Sequence, residues 1–434
     1  MRRRFFGSTV PAMPASGSED SRITASFSEV ASSPPVPMHD PPLEPRDEAV
    51  FLLTAAAEIE HALMVQYLFA AYSLRVSAHA NLPKLQGRLL QIAREEMGHL
   101  ITVQNLLHLV GGPLNFNREH SPYASEIYPF RFKLEPVSLD SLAKYVVAES
   151  PDPLPDDFSD AERNLYEQEI LPSARRSNDG EKVNHVGPIF QRLETIFREE
   201  LKDEDFRLDT QPFQATYDDW GYEPKTKDIG SALIVETISG LSASAVRDAA
   251  AAAIRNIGQQ GEGFDPPPGS STDPESHFER FLLSYLEFKT LKASGAQLTW
   301  PLAENPNTSS PPQAPISPAK MAEAIAESHA GKGRITDPRA RNWAHLFNLR
   351  YRLLLAYLSH FLRLDQQRYT DSGDRTPRGL LLIWTFNEMR RLKKLAEKLV
   401  QLPKDKREDE TQPFPPDALN AGPPFELPYT LNLP

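Results

Sequence analysis

Apolar residues recur every three or four positions through most of the chain, whereas the alternation of apolar and polar residues that marks β-strands is scarce. This spacing gathers apolar side chains on one face of an α-helix. A hydroxyl residue followed by proline, as at Ser317 and Thr376, favours a helix start because proline needs no hydrogen-bond partner there. The pattern predicts an all-α fold with helices over residues 49–75, 83–110, 138–149, 183–203, 229–260, 274–293, 318–330, 339–368 and 378–401.

Proline separates the predicted helical regions. The 434 residues include 40 prolines, roughly twice the usual share, and they concentrate near the N-terminus and in a few segments between helices. Proline-rich segments without apolar periodicity are typical of linkers and extended arms. We predict a disordered or extended arm over 1–45, a bundle over 46–300, a linker over 301–317, a C-terminal helical region over 318–402 and an irregular tail over 403–434.

Composition and charge narrow the function classes. The chain has a formal net charge of −12, 40% hydrophobic residues and no cysteine. An acidic chain without a basic stripe is a poor match for nucleic acid, and no apolar run reaches the roughly 18 residues of a membrane span. Without cysteine, disulfides and thiolate ligands are excluded, so any metal must bind oxygen and nitrogen. We expect a soluble cytoplasmic protein that binds neither nucleic acid nor membranes.

Two of the predicted helices carry acidic residues among apolar ones. Glu96 and His99 form a Glu-x-x-His pattern, and residues three apart project from the same side of a helix. Glu60 lies in the preceding, Ala-rich helix, where a charged carboxylate needs a partner. Carboxylate and imidazole groups at this spacing recur in metal sites built inside four-helix bundles. The alternative is a surface Glu60 that forms a salt bridge between helices.

The short connection SAHANLP predicts that these two helices form an antiparallel hairpin. Its midpoint lies near Ala78, which is equidistant in sequence from Glu60 and Glu96. Equal steps back along both helices therefore place the two carboxylates at the same depth. Glu58 and Glu95 are expected to face elsewhere.

A third set of candidate residues lies further along the chain. Glu262 stands between two glycines at the end of an Ala-rich helix, and His277 opens the next helix. Flanking glycines let the backbone bend so that a carboxylate can be aimed. Glu279 and Arg280 are candidates for a surface pair or for a clamp on the carboxylates. The alternatives are a polar loop residue for Glu262 and an ordinary residue of the first helical turn for His277.

Four segments carry a family resemblance: EIEHALMVQYLFAAYSL, AREEMGHLITVQNLLHLVGG, IGQQGEG and SHFERF. In this order they resemble the ferritin-like domain family named for iminophenyl-pyruvate dimer synthase. That domain is found in the bisindole-forming enzymes of violacein and rebeccamycin biosynthesis. The resemblance covers roughly residues 46–295, and NAGPPFELPYTL resembles sequence that follows this domain in its relatives.

The resemblance implies a ferritin-like helical bundle with a metal site and an additional C-terminal helical hairpin. By position, it implies that the ligands are Glu60, Glu96, His99, Glu262 and His277. Iron is the expected metal, as one or two ions, with manganese and zinc as alternatives, because oxygen and nitrogen ligands suit all three.

One position departs from the family pattern. Pro188 stands where relatives are expected to offer a Glu near the start of the third helix, and Glu194 is the next candidate ligand, although an exposed Glu is the alternative. His185 is a further candidate there, with a capping or surface role as the alternative. If Glu194 does not reach the site, we expect unequal metal occupancy, with the half formed by Glu60, Glu96 and His99 filled more tightly.

The expected function is a metal-dependent oxidoreductase of specialised metabolism that acts on a small amino-acid-derived substrate. The alternative is a non-catalytic ferritin-like scaffold or metal-binding partner protein. Tyr67 is a candidate catalytic residue, as a hydrogen-bond donor to a ligand carboxylate or a redox-active neighbour; an ordinary core tyrosine is the other interpretation. The apolar C-terminal hairpin is also a candidate homodimer interface.

Overall fold

The structure is a computed structural model that describes residues 36, 39–118, 127–154, 158–216, 219, 235–262, 276–308, 333–365, 376–407, 415 and 417–427. Its regular elements in these residues are helices, supplemented by isolated β-bridges such as Leu74 with Thr299. The predicted all-α fold is confirmed for this part of the chain. The helix predicted over 318–330 lies outside the described residues.

Two long helices form the centre of the fold. Helix α1 spans Pro45–Ser73 and helix α2 spans Leu82–Leu109, and each has a proline in its first turn. The Gln86 side chain donates to the Ala71 carbonyl at 2.9 Å, which ties the start of α2 to the end of α1. Nearly all of α1 beyond its first turn is buried, because other helices pack around it. A helix that is apolar on all sides is typical of such a position.

The described residues contain six further helices between this hairpin and the C-terminal pair. They are α3 (Leu139–Ala148), α4 (Asp160–Leu165), α5 (Leu171–Ser177), α6 (Gly187–Thr195), α7 (Ala243–Glu262) and α8 (His277–Lys292). Single π-helical turns join α4 to α5 over Tyr166–Ile170 and extend α6 over Ile196–Glu200.

The structure corrects two of the predicted helices and adds one region. Residues 183–186 are irregular and α6 begins at Gly187, because Pro188 belongs in a first turn. Residues 235–240 are irregular, and α7 begins at Ala243. The region of α4 and α5 was not predicted, since it is short, highly charged and contains Pro172.

The last two helices form a hairpin that packs against the bundle. Helix α9 spans Pro338–Phe361 and helix α10 spans Pro377–Leu399. Tyr351 of α9 hydrogen-bonds to His61 of α1, and His108 of α2 contacts the Leu362 carbonyl at 2.9 Å. Buried Arg378 of α10 donates to the carbonyls of Phe361 at 3.0 Å and Gln214 at 2.6 Å.

The segment after α10 also joins the core. Phe425 packs edge-on against Phe347 and Tyr351 at ring-centroid distances of 4.7 and 5.3 Å, and its carbonyl accepts a hydrogen bond from Arg118. The division of the chain into arm, bundle, linker, C-terminal region and tail stays a prediction. None of the helices in the described residues has the length and apolar character that crossing a membrane requires.

Candidate metal centre

Glu60, Glu96 and His99 meet between α1 and α2. The Nδ1 atom of His99 lies 3.4 Å from Glu60 Oε2 and 3.1 Å from Glu96 Oε2. All three residues are at most 2% exposed. The hairpin therefore brings the two carboxylates to the same depth, as the equal spacing from Ala78 predicts.

A second group shares Glu96 with the first. His277 Nδ1 lies 2.9 Å from Glu96 Oε1 and 3.8 Å from Glu149 Oε2. In each group, one potential ligand atom from each residue lies within 4.8 Å of the others. Glu96 thus presents one carboxylate oxygen to each histidine. This is the arrangement expected of a carboxylate that bridges two metal ions.

Glu149 and His277 of the second group both lie at helix ends. Glu149 is the residue that follows the last turn of α3. His277 is the first residue of α8, whose start is fixed by Ser276 and Glu279. The Ser276 side chain accepts from the Glu279 backbone N–H at 3.2 Å, and the Ser276 N–H donates to the Glu279 carboxylate at 2.8 Å. This reciprocal capping box holds His277 at a defined height.

Burial and mutual repulsion shape the charges of the cluster. Burial raises the pKa of the Glu60 carboxyl well above its usual range, and the Glu96 charge raises it further. Burial opposes ionisation of Glu96, but His277 and His99 together outweigh it and hold the Glu96 pKa well below its usual range. Burial also opposes protonation of His99, yet Glu60 and Glu96 raise the His99 pKa to about 10. These carboxylates therefore favour a cation between them.

Three polar atoms of the cluster lack hydrogen-bond partners among the described residues, as expected of atoms that bind a metal ion. Glu60 Oε2, Glu96 Oε1 and His277 Nδ1 are buried and make no hydrogen bond with the described residues. Glu96 Oε1 and His277 Nδ1 are only 2.9 Å apart, but their angle is not that of a hydrogen bond. Buried polar atoms in proteins normally have partners. Carboxylate oxygens and imidazole nitrogens that converge in this way suit iron, manganese or zinc.

A second layer of side chains holds the candidate ligands. His99 Nε2 lies 2.8 Å from Gln260 Oε1, and His277 Nε2 lies 2.9 Å from Glu95 Oε2. Arg280 donates to both oxygens of Glu95, at 3.2 Å to Oε1. The expectation that Glu95 faces away is wrong, because α8 packs against that side of α2. Arg280 is the member of the SHFERF segment that clamps a carboxylate, whereas Glu279 serves the helix cap.

The remaining predicted residues lie in different places. Tyr67 donates a hydrogen bond to Glu149 Oε1, which makes it a direct neighbour of the cluster. Glu194 lies outside both groups and forms ion pairs with Arg198 at 3.1 Å and with Arg255. Glu262 ends α7, but its side chain lies outside the described residues.

His185 and Glu58 both lie outside the two groups. His185, the alternative ligand near the third predicted helix, contacts the Ser150 carbonyl through Nδ1 at 2.8 Å and is not part of either group. Glu58 accepts hydrogen bonds from Tyr128 at 2.7 Å and Asn115 at 3.0 Å, so it faces away from the cluster as expected.

Glu149 is the candidate ligand that the sequence did not reveal. α3 places Glu149 beside His277, so Glu149 is a candidate for the carboxylate that Pro188 replaces in α6. The available signal is a single acid that ends the apolar run YVVAES just before a proline-rich break. A lone acid at a helix end has no ligand spacing to another residue and is therefore easily read as a polar terminus.

A small cavity adjoins the candidate ligands and is otherwise lined by apolar side chains and glycines. The additional lining residues are Leu63, Val186, Gly187, Phe190, Ile257, Gly258 and Gly261. A Cβ atom at Gly261 would lie 3.3 Å from Glu149 Oε2, which is a crowded distance. Glycine at this position thus leaves space for the carboxylate.

These features define a helical bundle with a buried carboxylate and histidine cluster, and residues 53–284 match the ferritin-like family. The chain belongs to this family, as the four sequence segments indicate. It is 25% identical over 432 residues to dichlorochromopyrrolate synthase from Lentzea aerocolonigenes, a match that covers 89% of this chain. The chain spans 36% of that relative's length.

A solved structure, a ferritin-like protein from Caulobacter vibrioides, aligns with a TM-score of 0.40 and 14% identity. The alignment covers 80% of this chain and 96% of that one.

Proposed function

We propose that this protein is a metal-dependent oxidoreductase of specialised metabolism that uses one or two iron ions and acts on a small amino-acid-derived substrate. The observation that carries the proposal is the pair of buried Glu/His groups that share Glu96. Buried carboxylates without compensating cations are energetically unfavourable, and their retention at one point in a core is typical of a functional site.

The two Glu/His groups would each hold one ion. Glu60, Glu96 and His99 would hold one ion, and Glu96, Glu149 and His277 would hold the other. When bound, iron supplies redox chemistry, including the reduction of dioxygen. The Tyr67 hydroxyl keeps the Glu149 carboxylate oriented through its hydrogen bond.

The apolar wall of the cavity supports a small organic substrate. Leu63, Phe190 and Ile257 offer carbon surface beside the cluster, and such surface excludes water and favours an aromatic or aliphatic group. The match to dichlorochromopyrrolate synthase, whose name denotes the synthesis of a small-molecule carboxylate, also supports this class of substrate.

The first test is the metal content of protein produced with iron supplied. We expect wild type to contain up to two ions per chain by elemental analysis. Glu96→Gln should lose most of both, because Glu96 belongs to both groups, and Glu60→Gln should lose chiefly one. Glu194→Gln is the matched control. It removes a half-buried carboxylate of another helix that forms ion pairs with Arg198 and Arg255, and it should keep the full metal content.

The second measurement is dioxygen consumption by the iron-loaded protein with amino-acid-derived aromatic compounds. Consumption that depends on Glu96 supports an oxidoreductase. Wild type that carries iron but consumes no dioxygen with any such compound would favour the non-catalytic metal-binding alternative. Wild type that binds no metal would refute the proposal.

A further inference from the structure

The two histidines of the cluster are oriented alike. Each turns Nδ1 toward the carboxylates and Nε2 away from them, where it meets an oxygen of a second-layer side chain. The oxygen is Oε1 of Gln260 for His99, at 2.8 Å, and Oε2 of Glu95 for His277, at 2.9 Å. A carboxylate oxygen and an amide oxygen can only accept. Each Nε2 therefore carries the hydrogen, and each Nδ1 is the atom available to a metal ion.

The two acceptors differ in charge. Glu95 is 1% exposed, and the guanidinium of Arg280 donates to both of its oxygens. Arg280 thereby fixes the orientation of this buried carboxylate through charge-assisted hydrogen bonds. Gln260 is a neutral amide, and its own Nε2 makes no hydrogen bond with the described residues. His277 thus donates to a carboxylate that Arg280 holds in place. His99 donates to a neutral amide that is held less firmly.

We propose that Glu95 and Gln260 are positioning residues that make the two metal sites unequal, with the half formed by Glu96, Glu149 and His277 binding its divalent ion more tightly. This inference rests on the metal centre of the proposed function. It reverses the expectation drawn from Pro188, which gave the tighter site to the half that contains His99.

The physical reason lies in the basicity of the imidazole. A carboxylate that accepts from Nε2–H pushes electron density toward Nδ1 and makes the ring a stronger metal ligand. A neutral amide does this less. Loss of such a second-layer partner typically costs about 10- to 100-fold in metal affinity, which is the size of difference expected between the two halves.

The test is a titration of metal-free protein with Co(II), followed by visible absorption and by calorimetry. Wild type should bind two ions in two separable steps. His99→Ala should retain the tighter step, and His277→Ala should retain only the weaker one. Glu95→Gln should weaken the first step by about 10- to 100-fold and leave the second nearly unchanged.

Gln260→Glu should increase metal affinity, a result that misfolding cannot produce. It gives His99 a carboxylate acceptor, so the second step should strengthen toward the first while the stoichiometry stays at two. This variant keeps the inference testable if Glu95→Gln, which leaves Arg280 without its partner, fails to fold. Glu194→Gln is the control that should reproduce both wild-type steps.

The outcomes separate the two proposals. Two equal steps, a tighter step that survives in His277→Ala, or a second step that Gln260→Glu does not strengthen would overturn the inference and leave the metal centre in place. Wild type that binds no Co(II) would instead count against the proposed function itself.

Discussion

Two glycines on α7 show how finely single residues set the space around the cluster. Gly261 faces Glu149, and an added Cβ would lie 3.3 Å from the Oε2 atom. Gly258 is one turn earlier, and an added Cβ there would meet only the Phe190 Cβ atom at 3.9 Å, an ordinary contact. The same substitution at the two positions therefore separates an effect on the ligand from an effect on the helix.

We expect Gly261→Ala to displace the Glu149 carboxylate and to lower the metal content of the His277 half, so that metal per chain falls toward one by elemental analysis. Gly258→Ala should keep the metal content and raise the free energy of unfolding by up to about 1 kcal/mol, because alanine favours the helix. Equal metal content in both variants would show that Glu149 has room to move and is not held by Gly261.

Sequence reasoning at this scale depended on spacing between chemically distinct residues. Glu96 and His99 are three apart on one helix, and Glu60 follows from the symmetry of the hairpin, so local geometry is enough to place them. Glu149 belongs to a short helix whose position is set by tertiary packing, and no regular interval links it to the others. The sequence offers Arg280 as a candidate clamp, but it does not reveal Glu95 as the partner, for the same reason.

Among the elements, the start of α8 connects secondary structure to the site most directly. Ser276 caps this helix, and the next residue is His277. If the first turn frays, the imidazole loses its fixed position beside Glu96 and Glu95. The capping box at Ser159 is chemically similar but begins the exposed helix α4, which contributes no residue to the cluster.

We expect Ser276→Ala to lower the free energy of unfolding by about 1 kcal/mol, because the cap no longer satisfies a backbone N–H. It should also weaken metal binding by the His277 half in a Co(II) titration. Ser159→Ala should leave metal binding unchanged. If both variants bind metal like wild type, the position of His277 does not depend on the cap.

Long elements were predictable because their apolar pattern repeats over many turns, as in α1 and α2. The charged region of α4 and α5 gives no such repeat, although apolar residues within it, such as Ile170, are buried in the structure. For α7, the alanine-rich segment and the apolar residues that precede it predict a helix that begins before Ala243. In the structure, the side chains of Gln211 and Gln214 bind the irregular backbone of Gly240 and Ile238 instead.

Across the whole molecule, Arg378 is one of the residues that join the C-terminal hairpin to the bundle. It is 4% exposed and donates to carbonyls from α9, from the turn after α9 and from residue 214. One guanidinium thus satisfies several carbonyl acceptors at once.

Replacement of Arg378 by leucine should lower the free energy of unfolding by about 3 kcal/mol, since buried carbonyls lose their donors. Urea denaturation followed by circular dichroism measures this. Arg390→Leu changes an exposed position of the same helix and should stay within about 0.5 kcal/mol of wild type. Similar losses in the two variants would mean that the Arg378 hydrogen bonds are not what secures the hairpin.

Two consecutive residues of α1 contact different parts of the molecule. Glu60 faces the metal cluster, and His61 hydrogen-bonds to Tyr351 of α9, which lies 290 positions further along the chain. During synthesis, α1 therefore leaves the ribosome long before the helix that covers its second side. The packing around α1 is therefore complete only after α9 has been synthesised.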